Sequence, residues 1–488
     1  MIAKTFMGLE PVLADELIAL GANNVEIGRR MVSFTGDKAL MYRANFALRT
    51  AIRILKPIRH FRARSADDVY NEVKKMPWEE YLIRKENATK SYNTFAVDAV
   101  VFSEEFKHSK FVAYKVKDAI VDYLREKTGE RPNISVSSPD LQLHIHVAED
   151  KCTLCLDSSG ESLHRRGYRQ EGGAAPLNEV LAAGMILLTG WNGTTDFIDP
   201  MCGSGTLPIE AALIARNMAP GLFRKEYAFE KWEDFDADLF DFIYNDDSQE
   251  RPFEHHIYGY DNDAKAVGMA RRNVRAAGLS DIITIEEADF KNFQQPEQQS
   301  IIVTNPPYGE RISTTNLLGT YKMIGERLKH AFEGGEAWVI SYHEECFDQI
   351  GLKPSIKIPL YNGSLECEFR KYSIFSGKLK DFREGGGIVK TDEEKDKMAE
   401  KHRFKKERAF KNRLSREADQ SNEENDIRLF KFNHVKLERD RTERRDSADR
   451  KYHKSAKAPG GRQFAKAKNR FDRDSRGKYN NKGKKRDE

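Results

Sequence analysis

Four consecutive residues, Asn305-Pro306-Pro307-Tyr308, define the narrowest chemistry in this chain. The two prolines set a rigid corner and expose the carbonyl of Pro306, because Pro307 cannot continue a helix. The carboxamide oxygen of Asn305 and that carbonyl then form two acceptors facing one point. An exocyclic amine on a nucleobase is a poor nucleophile, since its lone pair is delocalised into the ring. Two acceptors gripping its hydrogens would turn the lone pair out of conjugation and stabilise positive charge developing on nitrogen. Tyr308 would stack on such a base, a contact worth ~1–3 kcal/mol. No general base is required beforehand, because the proton leaves after the nitrogen has reacted.

A second motif, Asp-Pro-Met-Cys-Gly-Ser-Gly-Thr (Asp199–Thr206), falls between a predicted strand and a predicted helix. Gly203 and Gly205 permit a tight turn and let backbone N–H groups approach a ligand at the helix start. A dinucleotide fold would place a third glycine where this chain has Pro208, which counts against a nicotinamide cofactor. A bare turn would use the same glycines. Asp261, at the end of the next strand, is placed to accept both ribose hydroxyls of a nucleoside cofactor. It comes 62 residues after Asp199, against ~20 in a simple βαβ unit. The acid- and aromatic-rich stretch 219–256 reads as an insertion that makes up the difference. Asp289, at the third strand end, is placed to accept from an adenine amino group. Either acid alone could equally cap a helix.

The elements that must hold these motifs follow from periodicity. Over 165–376, helices at 176–189, 206–217, 263–277 and 317–332 alternate with strands at 196–200, 257–261, 282–286, 300–304 and 337–341. This alternation predicts an α/β fold with a doubly wound parallel sheet. Segments 355–360 and 365–373 flank Tyr-Asn-Gly-Ser and predict a closing antiparallel hairpin. A parallel sheet ending in such a hairpin resembles the Rossmann-like sheet of class I S-adenosylmethionine methyltransferases. All three motifs then lie at the carboxyl ends of parallel strands, where such sheets place their ligands. Residues 1–160 mix shorter strands and helices, including a buried strand at 95–102 and a long helix at 107–127. They read as an α+β region without a catalytic cluster.

Composition narrows the setting. At 488 residues, 39% hydrophobic and 10% aromatic, the chain is long enough for two or three domains. Its five cysteines are scattered and odd in number, which excludes a disulfide framework and favours a reducing cytoplasm. The sequence holds no run near the ~18 apolar residues of a membrane helix, and its start lacks a secretory pattern. A soluble cytoplasmic protein without membrane association is expected. The net charge of +4 conceals a split. Residues 401–488 hold 30 Lys and Arg against 15 Asp and Glu, while the other 400 residues hold 51 against 62. An acidic body with a basic extension implies a polyanionic partner. The low apolar content of 377–488 predicts a disordered tail.

Asp199–Thr206, Gly259–Asp263 and Asn305–Ile312, with Ser162–Arg169 before them, resemble the RlmL group of bacterial THUMP-domain RNA methyltransferases. The resemblance covers about residues 1–376. It implies a ferredoxin-like segment at 1–55, a THUMP RNA-binding domain at 56–160 and a methyltransferase domain at 165–376. The implied activity is methylation of guanine N2 in large-subunit ribosomal RNA, with S-adenosylmethionine as donor. By motif match, Asp199, Cys202, Gly203, Gly205, Thr206, Asp261 and Asp289 would hold the cofactor, and Asn305, Pro306 and Tyr308 the base. Some relatives carry a second, C-terminal methyltransferase domain; this chain has the basic tail there, so a fused second activity is not expected.

Two other readings use the same residues. Adenine N6 in RNA or DNA offers the same amine chemistry, and guanine rests on the resemblance alone. A ribosome-assembly factor that keeps the fold without catalysis would belong to another class, and the intact acceptor pair and glycine loop speak against it. Among weaker signals, Arg49, Arg53, Lys56, Arg59, Arg62 and Arg64 run through one stretch without an intervening acid. With Arg165, Arg166 and Arg169 they suit backbone phosphates of RNA, including ribosomal particles. Cys152 and Cys155 lie three apart on a predicted strand and so face opposite sides, and His144 and His146 lack further ligands. No metal is assigned.

The tail yields a first prediction. Deleting 401–488 should weaken RNA affinity and flatten the slope of log affinity against log salt, with chemistry preserved. An unchanged slope in filter binding across a salt series would remove the tail from RNA contact.

Overall fold

A computed structural model describes residues 1–84, 91–170, 176–294, 300–308, 316–332 and 334–375. The tail at 377–488 and residues 309–312 of the Asn305–Ile312 motif lie outside the described residues.

The N-terminal half is built on one seven-stranded sheet. Its first strands are β1 (Ile2–Lys4), β2 (Asn23–Gly28), β3 (Met31–Thr35) and β4 (Arg53–Arg62). A two-residue ladder, β5 (Ile83–Arg84) with β6 (Ser91–Tyr92), stands apart. The sheet then takes in β7 (Phe95–Phe102), β8 (Leu141–Ala148) and β9 (Lys151–Asp157), in the order β2-β3-β1-β4-β9-β8-β7. Along β8, buried and half-buried residues alternate strictly, the period-2 signature of a strand with one face in the core. β4 pairs with β1 through residues 53–55 and with β9 through residues 55–62. The ferredoxin-like and THUMP segments therefore share one sheet, and the boundary read at residue 55 falls inside a strand. Local chemistry sets the flanking helices. Asp37 caps Lys38–Ala47, and Ser65 and Asp68 form a capping box at the start of Ala66–Lys74. Gly129, in the left-handed region, ends Ser109–Thr128.

The second sheet comprises β10 (Asp196–Asp199), β11 (Ile257–Asp261), β12 (Ile283–Glu287), β13 (Ser300–Thr304), β14 (Glu336–Ser341), β15 (Ile356–Asn362) and β16 (Leu365–Ser373). Its order is β12-β11-β10-β13-β14-β16-β15. The first five run parallel, while β16 pairs antiparallel with both β14 and β15. The predicted α/β sheet and its terminal hairpin are both present, and this is the class I methyltransferase topology. Every residue of β10 and β13 is buried, as a central parallel strand covered on both faces requires. Strand order reverses between β10 and β13, so a crevice opens outside their carboxyl ends.

The stretch 219–256 does more than lengthen a connection. Its Tyr227, Phe229, Trp232, Phe240 and Ile243 join the apolar core of the N-terminal half. Phe229 stacks on Tyr42 at 4.4 Å and meets Phe240 edge-on at 5.1 Å. Arg224 donates to the carbonyls of Ser159, Glu161, Ser162 and Arg165 at 2.9–3.4 Å, gathering the interdomain segment beneath it. From the other side, Leu9 packs so closely on Gly184 that a Cβ there would come within 2.6 Å of it. The two halves are thus joined by packed surfaces, not by a tether.

Truncating Phe229, which is fully buried, should destabilise the chain by about 3–5 kcal/mol. Phe229→Ala should lower the urea midpoint of unfolding accordingly. A midpoint unchanged from wild type would show that the insertion does not hold the halves together.

Candidate active site

One cleft of about 800 Å³ receives all the motifs. Asp199, the glycine loop, Asp261, Asp289 and Asn305 through Tyr308 line it, joined by Asn362 and Leu365 from the closing hairpin. Each motif enters at a strand's carboxyl end, so the sheet supplies the convergence that separated sequence positions could not.

The glycine loop is shaped by its backbone. Gly203 and Gly205 both have positive φ, +54° and +83°. A Cβ on Gly205 would come within 3.2 Å of Ala270, whereas one on Gly203 would meet nothing within 4 Å because it faces open space. The Gly203 N–H donates to Asp261 Oδ2 at 2.9 Å, and Asp263 N–H to Asp261 Oδ1 at 3.0 Å. The carboxylate is therefore oriented by the loop it borders, and burial pushes its pKa up. Asp199 is 2% exposed and accepts from the Thr304 hydroxyl at 2.9 Å and from Met201 N–H at 3.2 Å. Desolvation drives its pKa up to about 7. Cys202 is buried, and its thiol is likewise driven upward by burial. Asp289 caps the short turn Phe290–Asn292 and pairs with the Lys291 ammonium at 3.0 Å. Burial would raise this acid, but the Lys291 N–H and ammonium outweigh it and hold it low. Asp289 is thus both a cap and a cleft residue. An oriented acid at the second strand end, a glycine face without obstruction and a third acid beyond fit a nucleoside cofactor.

At the diproline corner, Pro306 is buried and Asn305 and Tyr308 are half-buried. The Tyr308 hydroxyl donates to Asn305 Oδ1. Its ring meets Tyr342 edge-on at 5.8 Å. This differs from a tyrosine held ready above an empty base site: here the hydroxyl occupies the acceptor proposed for the amine. A partly buried amide oxygen is costly when unpaired, and the Tyr308 hydroxyl satisfies it.

The arginines divide. Arg166 is 2% exposed and donates to Glu210 at 3.4 Å and to the carbonyls of Leu163 and Arg49 at 2.9 and 2.5 Å. Buried at the junction of the halves, it is not a surface RNA contact. Arg169 turns inward to Glu179, Ser204 and Thr206 and braces the glycine loop. Of the third, Arg165, the guanidinium is exposed and pairs with Glu161. Nor is the β4 strip free of acids. Arg53 meets Asp157, Arg59 meets Glu72 and Arg62 meets Asp150, all brought by folding from distant sequence. Arg49 is buried, whereas Arg59, Arg62 and Arg64 remain exposed.

Sequence reasoning missed Ser204, Asn273 and Thr304. Asn273 donates to the Ser204 carbonyl at 3.0 Å from the helix Ala264–Ala276. A polar residue on the otherwise apolar face of that helix was the available signal.

Asp199 gives a pH prediction with a definite sign. Its folded pKa of about 7 lies above its ordinary value of 3.8, so the folded state binds this proton more tightly than the unfolded state. That contribution to stability is present at low pH, declines as pH rises from about 4 to 7, and is flat above. The difference in Tm between Asp199→Asn and wild type should therefore grow in the variant's favour from pH 5 to 7 and level off by pH 8. A difference independent of pH would contradict the raised pKa.

Residues 1–55 match the RlmL ferredoxin-like domain, 63–157 the THUMP domain and 166–371 the RMKL-like methyltransferase domain. The chain is 41% identical over 380 residues to the ribosomal RNA large subunit methyltransferase K/L of Syntrophotalea carbinolica, covering 75% of this chain and 52% of that one. It spans about half the length of the curated K/L relatives it matches. It is 36% identical to "Putative RNA methyltransferase slr0064" of Synechocystis sp., covering 76% of this chain and 96% of that one. The crystal structure of SMU.472 complexed with SAH superposes with a TM-score of 0.68 at 29% identity, covering 77% of this chain and 98% of that one. The sheet order, the glycine loop and the diproline corner thus stand in a chain that belongs to the THUMP-containing family of RMKL-like methyltransferases.

Proposed function

We propose that this protein transfers a methyl group from S-adenosylmethionine to the N2 amine of a guanine in large-subunit ribosomal RNA, in the cytoplasm. The observation that carries the reading is the single cleft in which a nucleoside-type site and the Asn305 acceptor meet. The K/L relatives and the THUMP match favour ribosomal RNA as substrate. S-adenosylmethionine supplies, when bound, an electrophilic methyl group.

The roles of the chain's own residues follow from their chemistry. The target base must leave its stack to enter the cleft, at a cost of a few kcal/mol. Tyr308 offsets part of that by stacking, and its hydroxyl gives up Asn305 Oδ1 to the incoming amine. Asn305 Oδ1 and the Pro306 carbonyl accept the two amine hydrogens and direct the nitrogen lone pair out of the ring plane. These fixed dipoles stabilise the charge that develops on nitrogen without reorganising. Asp261 and Asp289 hold the nucleoside end of the cofactor, with Asp199, Cys202, Gly203, Gly205 and Thr206 forming the floor. Arg59, Arg62, Arg64 and Arg165 contribute phosphate contacts that orient the RNA.

Asn305→Ala should lower kcat by about 10²–10³-fold, the usual cost of removing one preorganised charge-stabilising group. S-adenosylhomocysteine affinity should stay within about twofold. Tyr308→Phe should keep base binding, whereas Tyr308→Ala should lose the stacking worth ~1–3 kcal/mol and raise KM for RNA. Near-normal turnover of Asn305→Ala would sink the mechanism. Nucleoside digestion and mass spectrometry of modified RNA should yield N2-methylguanosine; N6-methyladenosine would move the activity to adenine. Failure to bind the cofactor in equilibrium dialysis would favour a non-catalytic assembly role.

A further inference from the structure

The cofactor loop is held from behind by a residue more than 30 positions upstream of it. Arg169 is 17% exposed at its side chain. Its Nε donates to Glu179 Oε1 at 2.8 Å, its Nη1 to Ser204 Oγ at 3.1 Å, and its Nη2 to Thr206 Oγ1 and the Leu177 carbonyl, both at 3.0 Å. Beside it, the Gln170 N–H donates to Asn273 Oδ1 at 2.9 Å, and Asn273 Nδ2 reaches the Ser204 carbonyl at 3.0 Å. Ser204 and Thr206 both line the cleft.

The donor inventory gives this arrangement a direction. A guanidinium has only protons to offer, and a hydroxyl has one proton and two lone pairs. Ser204 and Thr206 therefore receive Arg169 on a lone pair, and each hydroxyl proton is turned away from the guanidinium. Among the described residues neither hydroxyl has a protein acceptor for that proton, and both residues border the cleft. Glu179 offsets the charge of Arg169, so the guanidinium serves to orient hydroxyls more than to attract an anion at long range. On the nucleoside side the cleft is bordered by Asp261, Asp263 and Asp289, a poor neighbourhood for a second carboxylate. The Gly203 N–H of the loop is already given to Asp261, so the donors that the loop leaves for an anionic group are the two hydroxyls backed by Arg169.

We infer that Arg169 is a positioning residue that aims the Ser204 and Thr206 hydroxyl protons into the cleft, where they hold the carboxylate at the amino-acid end of the cofactor. This rests on the S-adenosylmethionine reading above and adds to it a specific contact and the residue that orients it. Because Arg169 lies at the end of the segment braced by Arg166 and Arg224, the cofactor site is built partly from the chain that leaves the N-terminal half.

The test compares two nucleoside thioethers by calorimetry. S-adenosylhomocysteine carries the amino-acid carboxylate, and 5′-methylthioadenosine keeps the adenosine and sulfur without it. Against wild type, Arg169→Lys, Ser204→Ala and Thr206→Val should each weaken S-adenosylhomocysteine about 10-fold, the loss of a charge-assisted hydrogen bond. They should leave 5′-methylthioadenosine within about twofold. Lysine keeps the charge but cannot span two hydroxyls, so it should not rescue. Equal losses for both ligands would mean that Arg169 only supports the loop as a whole and would overturn the inference. Unchanged S-adenosylhomocysteine affinity would do the same. If Arg169→Lys proves unstable to heat, the two hydroxyl variants decide alone. Wild type that binds neither ligand would instead remove the cofactor reading itself.

Discussion

The site depends on the bond between the Thr304 hydroxyl and the Asp199 carboxylate, at 2.9 Å and out of reach of water. Asp199 is the last residue of β10 and Thr304 the last of β13. Immediately beyond them one chain becomes the glycine loop and the other the diproline corner. Parallel pairing of the strands fixes their spacing at about 4.8 Å, and the side-chain bond pins the two exits to each other. The cleft is therefore a property of the strand pair before it is a property of any loop. The high pKa of Asp199 is a consequence of sealing a carboxylate in that position.

The N-terminal half is joined to this frame by polar groups that the core cannot ignore. Glu16 accepts from the backbone N–H groups of Arg49 and Thr50 at 2.8 and 3.0 Å. Arg166 grips the Arg49 carbonyl on one side and Glu210, in the helix that follows the glycine loop, on the other. The Tyr168 hydroxyl donates to the same carboxylate at 2.9 Å. A buried charge stripped of its partner costs several kcal/mol, so these contacts resist partial opening.

Much of this was legible in the sequence, for physical reasons. The strand Ser300–Thr304 is an apolar run bounded by polar residues, and its limits follow from composition. The strand Phe95–Phe102 was legible as a strand but not in its burial: it lies at the sheet edge, with Phe95 and Ala96 alone buried along it. The hairpin was legible from Asn362-Gly363 between alternating segments. The strand Arg53–Arg62 was obscured by its charges, which read as a strip suited to RNA phosphates because the acids that pair with them lie about 13 to over 100 residues away. Glycines and acids of the cleft were found because their roles depend on residue type at a strand end. Arg166, Arg169 and Ser204 act through partners chosen by folding, and no spacing rule points to them. The Tyr308 hydroxyl on Asn305 was equally out of view, because a hydroxyl's partner depends on how the corner folds and not on residue spacing.

The aromatic insertion has a bearing on how such a protein is inherited. Tyr227, Phe229 and Phe240 arise within the catalytic sequence yet complete the core of the preceding half. A catalytic half shuffled into a new gene by recombination would carry an uncovered hydrophobic patch and tend to self-associate. The pairing of the two halves is in this sense enforced at the level of solubility, which ties the history of the first half to that of the second.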